Sequence, residues 1–357
     1  MCLKGTLLNC VQSNFALLQG NTVSIKSELL NDKARVSLVE KERATSKKYA
    51  RAVKELSAVE REFNALLEIK ASNKVHAIVP YVGGKKSEAT VVVCASDWHV
   101  EEEVKAVKVS GLNRYNLDIA KSRAHQFFSR AIKLTQKEQQ DIPIRNMVLF
   151  LGGDFISGNI HDELLENCLL RPIEAVLFAQ ELLQSGIEYL LKNSALKLTI
   201  VCACGNHGRI TAKTHISTEQ GNSLEYMMYH SLKTRFTDPR VTFVIGDGYH
   251  TYLPIYDKVF RFHHGHAIRY GGGVGGITIP VNKAIAQWNK AHWANRDVFG
   301  HYHTYMPLSN FCANGSMIGY NAFALSIKAD FERPQQAMFL VDKVRGCTVH
   351  MPIIFDQ

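Results

Sequence analysis

Short apolar runs alternate with longer amphipathic stretches over most of the chain. A run of about five apolar residues that ends at Gly or at a polar residue is typical of a buried strand rather than a helix. Runs of this kind predict strands at 90–95, 147–151, 198–202, 259–262 and 298–299. Shorter apolar segments predict further strands at 240–245, 316–319 and 337–341, and the last two suggest a second sheet.

Amphipathic stretches between these runs predict helices. The stretches cover 112–136, 162–193, 218–236 and 279–293, and Pro172 is expected to kink or divide the second of them. Helices that alternate with strands indicate an α/β (α+β) protein.

The N-terminal part of the chain has a different pattern. Residues 31–70 are rich in Lys, Glu, Arg and Ala, contain no Pro or Gly, and carry apolar residues at helical spacing, such as Val53, Leu56 and Phe63. This predicts an amphipathic helix or a short coiled coil. Its basic cluster at 47–54 has three readings: contact with DNA, association with a protein partner or a second copy, and a solvated face.

A turn-rich stretch follows this helix. It contains a linker-like segment at 71–74 and Pro-Tyr-Val-Gly-Gly at 80–84, and we therefore place a boundary near residue 75. The expected organisation is a helical, coiled-coil-like segment over 1–75 and a larger domain over 76–357.

Composition narrows the class of protein. With 46% hydrophobic and 21% charged residues the chain is expected to be globular, and it has no apolar run of roughly 18 residues that predicts a membrane span. The N-terminus does not resemble a signal peptide. Eight irregularly spaced cysteines indicate a reducing, cytoplasmic compartment. The net charge of +9 favours a polyanion such as nucleic acid as partner, with plain solubility as the alternative.

Polar residues that can bind metal follow each of the first five predicted strands. They are Asp97, His99, Asp154, Asn206, His207, His263, His264, His266, His301 and His303. Because parallel strands place their carboxyl ends at one sheet edge, we expect a binuclear metal site with Asp154 as the bridging carboxylate. Imidazole with carboxylate favours two divalent transition ions, Mn first, with Fe, Zn or Ni as alternatives.

The ordered motifs Asp97-x-His99, Gly-Gly-Asp154, Gly-Asn206-His207, His264-Gly and Gly-His301-x-His303 resemble the signature of the calcineurin-like metallophosphoesterase superfamily, over roughly 90–305. The resemblance implies a four-layer β-sandwich of two mixed sheets flanked by helices, here with an N-terminal helical extension.

The resemblance also implies a ligand set. The first metal would be held by Asp97, His99, Asp154 and His303. The second would be held by Asp154, Asn206, His264 and His301. His266 is the alternate to His264, and His263 is expected to be a hydrogen-bonded interior histidine.

His207 is the candidate general acid, since it lies beside Asn206 and is not assigned to a metal. The family commonly places Asp or Glu after this His, whereas this chain has Gly208. Arg209, His161 and His266 are candidates for substrate contact; Arg209 offers a planar fork for a phosphate oxygen, or else a surface salt bridge.

These residues indicate a metal-dependent phosphodiesterase, a nuclease that hydrolyses DNA or RNA by attack of metal-activated hydroxide. The arrangement is similar to repair-type exonucleases and to phage-encoded phosphoesterases. A phosphomonoesterase acting on phosphoprotein or nucleotide is the first alternative. A non-catalytic scaffold in a nucleic-acid-processing complex is the second.

Overall fold

A computed structural model describes residues 5–71, 87–160, 162–270, 272 and 275–356. Side chains are described over 26–65 in the first range and, except for residue 165, throughout the others. Contacts divide the chain into two units, Met1–Gly83 and Gly84–Gln357. The boundary expected near residue 75 lies outside the described residues and stays a prediction.

Over its described residues the first unit forms one helix, α1 (Gly5–Ala71), which is longer than the helix predicted over 31–70. Nearly every described side chain of α1 is exposed, including the apolar Leu56 and Phe63. None of the described helices is both long enough and apolar enough to cross a membrane.

The second unit contains the helices α2 (Leu117–Glu138), α3 (Asp162–Asn167), α4 (Pro172–Asn193), α5 (Leu224–Arg235), α6 (Thr278–Trp288) and α7 (Ala322–Ser326) among its described residues. All but α7, which the sequence did not predict, lie close to the predicted positions. Pro172 divides α3 from α4, as predicted, because it occupies the first turn of α4. Two helices begin later than predicted because polar caps fix their starts. Asn116 caps α2 and Ser223 caps α5.

The first sheet has six strands in the order β12-β11-β1-β2-β3-β4. They are β1 (Ala89–Ala95), β2 (Ile144–Leu151), β3 (Lys197–Cys202), β4 (Val241–Ile245), β11 (Met338–Asp342) and β12 (Gly346–His350). The strands β1 to β4 are parallel, and β11 pairs antiparallel with β1. The strand predicted at 337–341 therefore belongs to this sheet, and its assignment to a second sheet was wrong.

The second sheet has five strands in the order β5-β6-β7-β9-β8. They are β5 (Thr251–Ile255), β6 (Lys258–Phe262), β7 (Arg296–Phe299), β8 (Met306–Pro307) and β9 (Phe311–Ala313). A small pair, β10 (Gln335–Gln336) and β13 (Ile353–Ile354), completes the described strands. The strand predicted at 316–319 was wrong, because these residues are buried but form no ladder.

Three apolar cores separate four layers. Val91 and Val93 of β1 face the core under α2 and α4, whereas Val92 and Cys94 face the core between the sheets. A third core lies between the second sheet and α6. The alternation follows from the two-residue period of a strand that is buried on both faces. The predicted fold class, two mixed sheets flanked by helices with an N-terminal helix, is confirmed.

Candidate metal centre

The carboxyl ends of strands from both sheets meet at one place. Asp97 follows β1, Asp154 follows β2 and His264 follows β6. Nδ1 of His264 lies 2.7 Å from the carbonyl oxygen of Gly152, which joins the end of the second sheet to the end of the first. The two sheets therefore contribute side chains to one site.

The first group of ligands is Asp97, His99 and His303. One donor atom from each of the three lies within 4.8 Å of the other two. Asp97 and His99 are buried, and Nε2 of His303 lies 3.4 Å from a carboxylate oxygen of Asp97. Three nitrogen or oxygen donors at this separation can close around one ion.

The second group is Asp154, His264 and His301, with the same 4.8 Å limit between donor atoms. Nε2 of His264 lies 2.9 Å from Oδ2 of Asp154. The groups adjoin, because the backbone N–H of His301 donates to Asp97 at 2.9 Å and that of His99 to the carbonyl oxygen of Asp154 at 3.2 Å. The structure thus brings together the His and Asp residues predicted as ligands, in two neighbouring groups.

The backbone at these ligands is strained. Eight described non-glycine residues have a positive φ, and five of them are candidate ligands, namely Asp97, His99, Asp154, His301 and His303. Each costs on the order of 1–3 kcal/mol and persists only where the surroundings enforce it. Such strain is concentrated at functional sites, because it aims side chains that regular strands would direct elsewhere.

Two glycines allow the motif loops to approach. A Cβ on Gly153 (φ 84°) would lie 2.2 Å from the backbone nitrogen of Gly205. A Cβ on Gly205 would lie 2.1 Å from Oδ1 of Asp154. Side chains at these positions would push Asp154 and Asn206 apart.

Several donor atoms in the site are buried without a hydrogen-bond partner. They include Nε2 of His99, Nε2 of His264 and Oδ1 of Asn206. The short contact between His264 and Asp154 lacks hydrogen-bond alignment. A buried polar atom without a partner costs about 1–3 kcal/mol. A bound ion would give these atoms a partner. Because the atoms are a mixture of oxygen and nitrogen, they fit divalent transition ions.

The charge states of Asp154, His99 and His301 suit metal binding. Burial and the neighbouring His207 lower the pKa of His99 well below its usual value, and burial and His264 do the same to His301. Burial alone would raise the pKa of Asp154, but His264 and His207 lower it well below the usual value. A carboxylate and neutral imidazoles are the forms that bind metal. Burial would lower the pKa of His264, but Asp154 raises it to about 10, so this imidazole would give up a proton to an incoming ion.

A chain of hydrogen bonds supports His99. Its Nδ1 lies 3.0 Å from Oγ of Ser157, and that hydroxyl donates to Glu102 at 3.2 Å. Partners of this kind orient a ligating imidazole and direct its other nitrogen to the metal.

Glu225 is a site residue that the sequence did not reveal. Its carboxylate is fully buried and accepts the backbone N–H groups of Phe155 at 2.7 Å and Gly205 at 2.8 Å. It thereby links the loop of Asp154 to the loop of Asn206. A Cβ on Gly208 would lie 2.7 Å from Cγ of Glu225, so the glycine makes room for this carboxylate.

His207 lies beside both groups. Its ring centroid is 4.9 Å from that of His99, and its backbone N–H donates to Oδ1 of Asp154 at 2.8 Å. Nδ1 of His207 lies 2.8 Å from the carbonyl oxygen of Ser157. A main-chain carbonyl thus orients this imidazole, and the residue after it is Gly208.

The guanidinium of Arg209 donates to carbonyl oxygens of its own loop, including that of Asn206 at 2.6 Å. Contact of Arg209 with substrate stays a prediction. His266 belongs to neither ligand group, and its Nε2 lies 2.9 Å from Glu219. His263 lies in the interior against Asp297, as expected. His161 lies outside the described residues.

No family model matches the chain, and none of the curated proteins compared with it does. Solved structures that resemble it include Vps29 complexed with Zn²⁺ from Entamoeba histolytica (12% identity, 74% of this chain and 99% of that chain, TM-score 0.28). The phosphoesterase Yfce from E. coli is 12% identical, and the match covers 74% of this chain and 99% of that chain with a TM-score of 0.31. Vps29 from Cryptosporidium parvum is 11% identical, and the match covers 76% of this chain and 100% of that chain with a TM-score of 0.30. At this level of likeness, function has to be argued from the site.

Proposed function

We propose that this protein is a binuclear-metal-dependent phosphoesterase that cleaves phosphodiesters, with nucleic acid as its substrate. One observation carries the proposal: two adjoining groups of candidate ligands, with four of their six residues buried, lie on a backbone strained at five of these residues. The motif order in the sequence supports the same chemistry.

Bound divalent ions would supply a water of lowered pKa and positive charge for the phosphoryl oxygens. The residues that would hold them are the two described groups together with Asn206. The carboxylate of Asp154 suits the shared position because it has two oxygens, of which Oδ2 lies 2.9 Å from Nε2 of His264 in the second group. The main-chain oxygen of Asp154 accepts the N–H of His99, which holds the first group beside it.

The proposed role of His207 is to protonate the leaving oxygen. The carbonyl oxygen of Ser157 accepts a hydrogen bond from Nδ1–H, so a proton given to substrate would come from Nε2. His207 approaches His99 edge-on, which puts it within reach of an ester bound between the ligand groups.

The preference for a diester on a polymer follows from charge. The net charge of +9 attracts a polyanion and speeds encounter. Nucleic acid carries many negative charges and therefore gains more from this attraction than a small phosphate ester does.

The test is an activity panel with Mn²⁺. We expect faster hydrolysis of bis-p-nitrophenyl phosphate than of p-nitrophenyl phosphate, cleavage of DNA or RNA oligonucleotides, and no turnover of any substrate by Asp154→Asn. Faster release from the monoester would favour a phosphomonoesterase. Diester hydrolysis without cleavage of any nucleic acid would remove the nuclease assignment alone.

The role of His207 has its own test. His207→Ala should slow esters with poor leaving groups at least tenfold more than activated aryl esters. Equal losses on both kinds of ester would argue against proton donation by this residue.

Self-association or binding of a partner through α1 remains a proposal. The exposed apolar side chains at Val53, Leu56 and Phe63 support it. Sedimentation of the full chain against Leu56→Glu/Phe63→Glu tests it, and an unchanged sedimentation coefficient would count against self-association.

A further inference from the structure

An exposed apolar surface lies beside the metal centre. It consists of Val107, Phe323, Leu325, Ile327 and Phe331, whose exposed fractions range from 44% to 84%. The helix α7 lies against the 3-10 turn Ala106–Val109, so Val107 belongs to the same surface. We call these five residues, two of which are aromatic, the apolar rim. Several large apolar side chains exposed together indicate a binding surface.

Hydrogen bonds join the segment that carries this rim to the first ligand group. At its start, the backbone N–H of Met317 donates to the carbonyl oxygen of Asp97 at 3.0 Å. Asn321, the N-cap of α7, donates to Oε1 of Glu102, whose other oxygen accepts the Ser157 hydroxyl that contacts His99.

The far end of the segment is also held. Oε1 of Glu332 accepts the backbone N–H of Tyr305 at 2.8 Å, two residues beyond the ligand His303. The rim is thus fixed at both ends next to Asp97, His99 and His303.

The charges around the rim are mainly positive. Stretches 103–114 and 322–333 carry five exposed cations, which are Lys105, Lys108, Arg114, Lys328 and Arg333. They carry three carboxylates, and two of these are engaged: Glu103 pairs with Lys105 at 3.0 Å, and Glu332 accepts the N–H of Tyr305.

We propose that the apolar rim, through Phe323 and Phe331, binds unpaired bases of single-stranded nucleic acid whose backbone passes through the metal centre. Exposed phenyl rings flanked by cations provide base stacking and phosphate contact, the combination that single-stranded nucleic acid requires. A duplex hides the faces of its bases, so it gains nothing from Phe323 and Phe331. This inference rests on the proposed nuclease function and specifies its substrate.

The test measures binding and cleavage separately. Fluorescence anisotropy with labelled oligo-dT and with a duplex of equal length, both in EDTA, reports affinity without turnover. Phe323→Ala and Phe331→Ala should each weaken oligo-dT binding about tenfold, which corresponds to the loss of about one stacked base. Trp293→Ala, which removes an exposed aromatic side chain that is not part of the rim, should stay within about twofold. All three variants should retain wild-type hydrolysis of bis-p-nitrophenyl phosphate.

A second variant separates stacking from apolar contact and from misfolding. Phe323→Leu keeps an apolar side chain but removes the ring face, and it should lose affinity as Phe323→Ala does. The proposal is overturned if the phenylalanine variants bind oligo-dT as the wild type does, if the duplex binds as tightly, or if Phe323→Leu retains full affinity. It is also overturned if these variants change the sedimentation coefficient instead, since that result assigns the rim to a protein interface.

Failure of the proposed function gives a different result. Binding of oligo-dT that depends on both phenylalanines, without cleavage in Mn²⁺, would refute the nuclease and retain the rim. Cleavage that is unaffected by both substitutions would retain the nuclease and refute the rim.

Discussion

Replacement of Glu225 by Gln should weaken metal binding by about 10- to 100-fold, the usual effect of losing a partner that orients a metal ligand. The carboxylate uses both oxygens, one for the N–H of Phe155 and one for that of Gly205. An amide has only one oxygen, so its NH₂ group must face one of these two donors. The two loops that carry Asp154 and Asn206 then lose one of their shared attachments.

The cost to stability can be worked out from the same contacts. A hydrogen bond to a charged group contributes about 1.5–3 kcal/mol, and a stranded buried N–H costs about 1–3 kcal/mol. Relief of the repulsion between Glu225 and Asp154 offsets part of this sum. We expect a loss of about 2–3 kcal/mol in the free energy of unfolding of the metal-free protein. Burial and Asp154 raise the pKa of Glu225 to about 7, so the measurement belongs at pH 8, where the carboxyl is charged.

The assay is calorimetric titration with Mn²⁺ beside denaturant unfolding in EDTA. Glu174→Gln is the matched control, because Glu174 also accepts a backbone N–H, at 2.9 Å, but at the exposed start of α4. That variant should lose about 1 kcal/mol of stability and no metal affinity. If Glu225→Gln behaved like this control, with lower stability but unchanged metal affinity and kcat, the role of Glu225 in holding the two ligand loops together would be refuted.

Three further predictions concern the surroundings of the site. Chelation should lower Tm by roughly 10 °C, because each ion at 100 times its Kd adds about 2.7 kcal/mol, and an unchanged Tm in calorimetry would argue against bound metal. Ser157→Ala should weaken Mn²⁺ binding about tenfold in titrations by removing the partner of His99 Nδ1, and unaltered affinity would contradict this. Asp297→Asn should cost about 3–5 kcal/mol at pH 7 in denaturant unfolding, since it breaks a buried pair with Arg261 at 2.7 Å, whereas the exposed Asp257→Asn should cost less than about 1 kcal/mol. Burial alone would raise the pKa of Asp297, but His263 and Arg261 lower it below 3.8; the stabilisation is thus present at neutral pH and is lost only as pH falls through that lowered pKa.

Six of the residues predicted as ligands lie in the two candidate groups that the structure brings together. A strand that is buried on both faces is mostly apolar, so the polar residues that follow it mark the strand end, as Ser96 and Asp97 do after β1 and Asp154 does after β2. Periodicity does not determine which sheet a strand joins. That β6 and β7 lie in a second sheet, with His264 and His301 at their ends, was available only through the resemblance to a known family.

Two misassigned segments have physical explanations. Residues 316–319 are apolar and buried, but the carbonyl oxygens of Met317 and Ile318 accept hydrogen bonds from the buried Arg123 instead of a strand. Burial without a ladder gives the same apolar pattern as a strand. The strand β5 was missed because it contains Pro254, which is tolerated there because β5 is an edge strand.

Glu225 was missed because it lies on a helix, far along the chain from the loops that it joins. The only signal in the sequence was Gly208, at a position where the superfamily that the motifs resemble commonly has a carboxylate. The carboxylate that approaches this position comes from α5 instead. A missing acidic residue in a motif is therefore a reason to search neighbouring elements for one.

Asp154 is proposed to be shared by two ions, and the number of Mn²⁺ ions bound per chain, measured by titration and electron paramagnetic resonance, tests this most directly. We expect two ions in the wild type, with the spectrum of a coupled pair. We expect one ion in His99→Ala and none held tightly in Asp154→Asn. A wild type that binds a single uncoupled ion, or an Asp154→Asn variant that still binds two, would contradict the account.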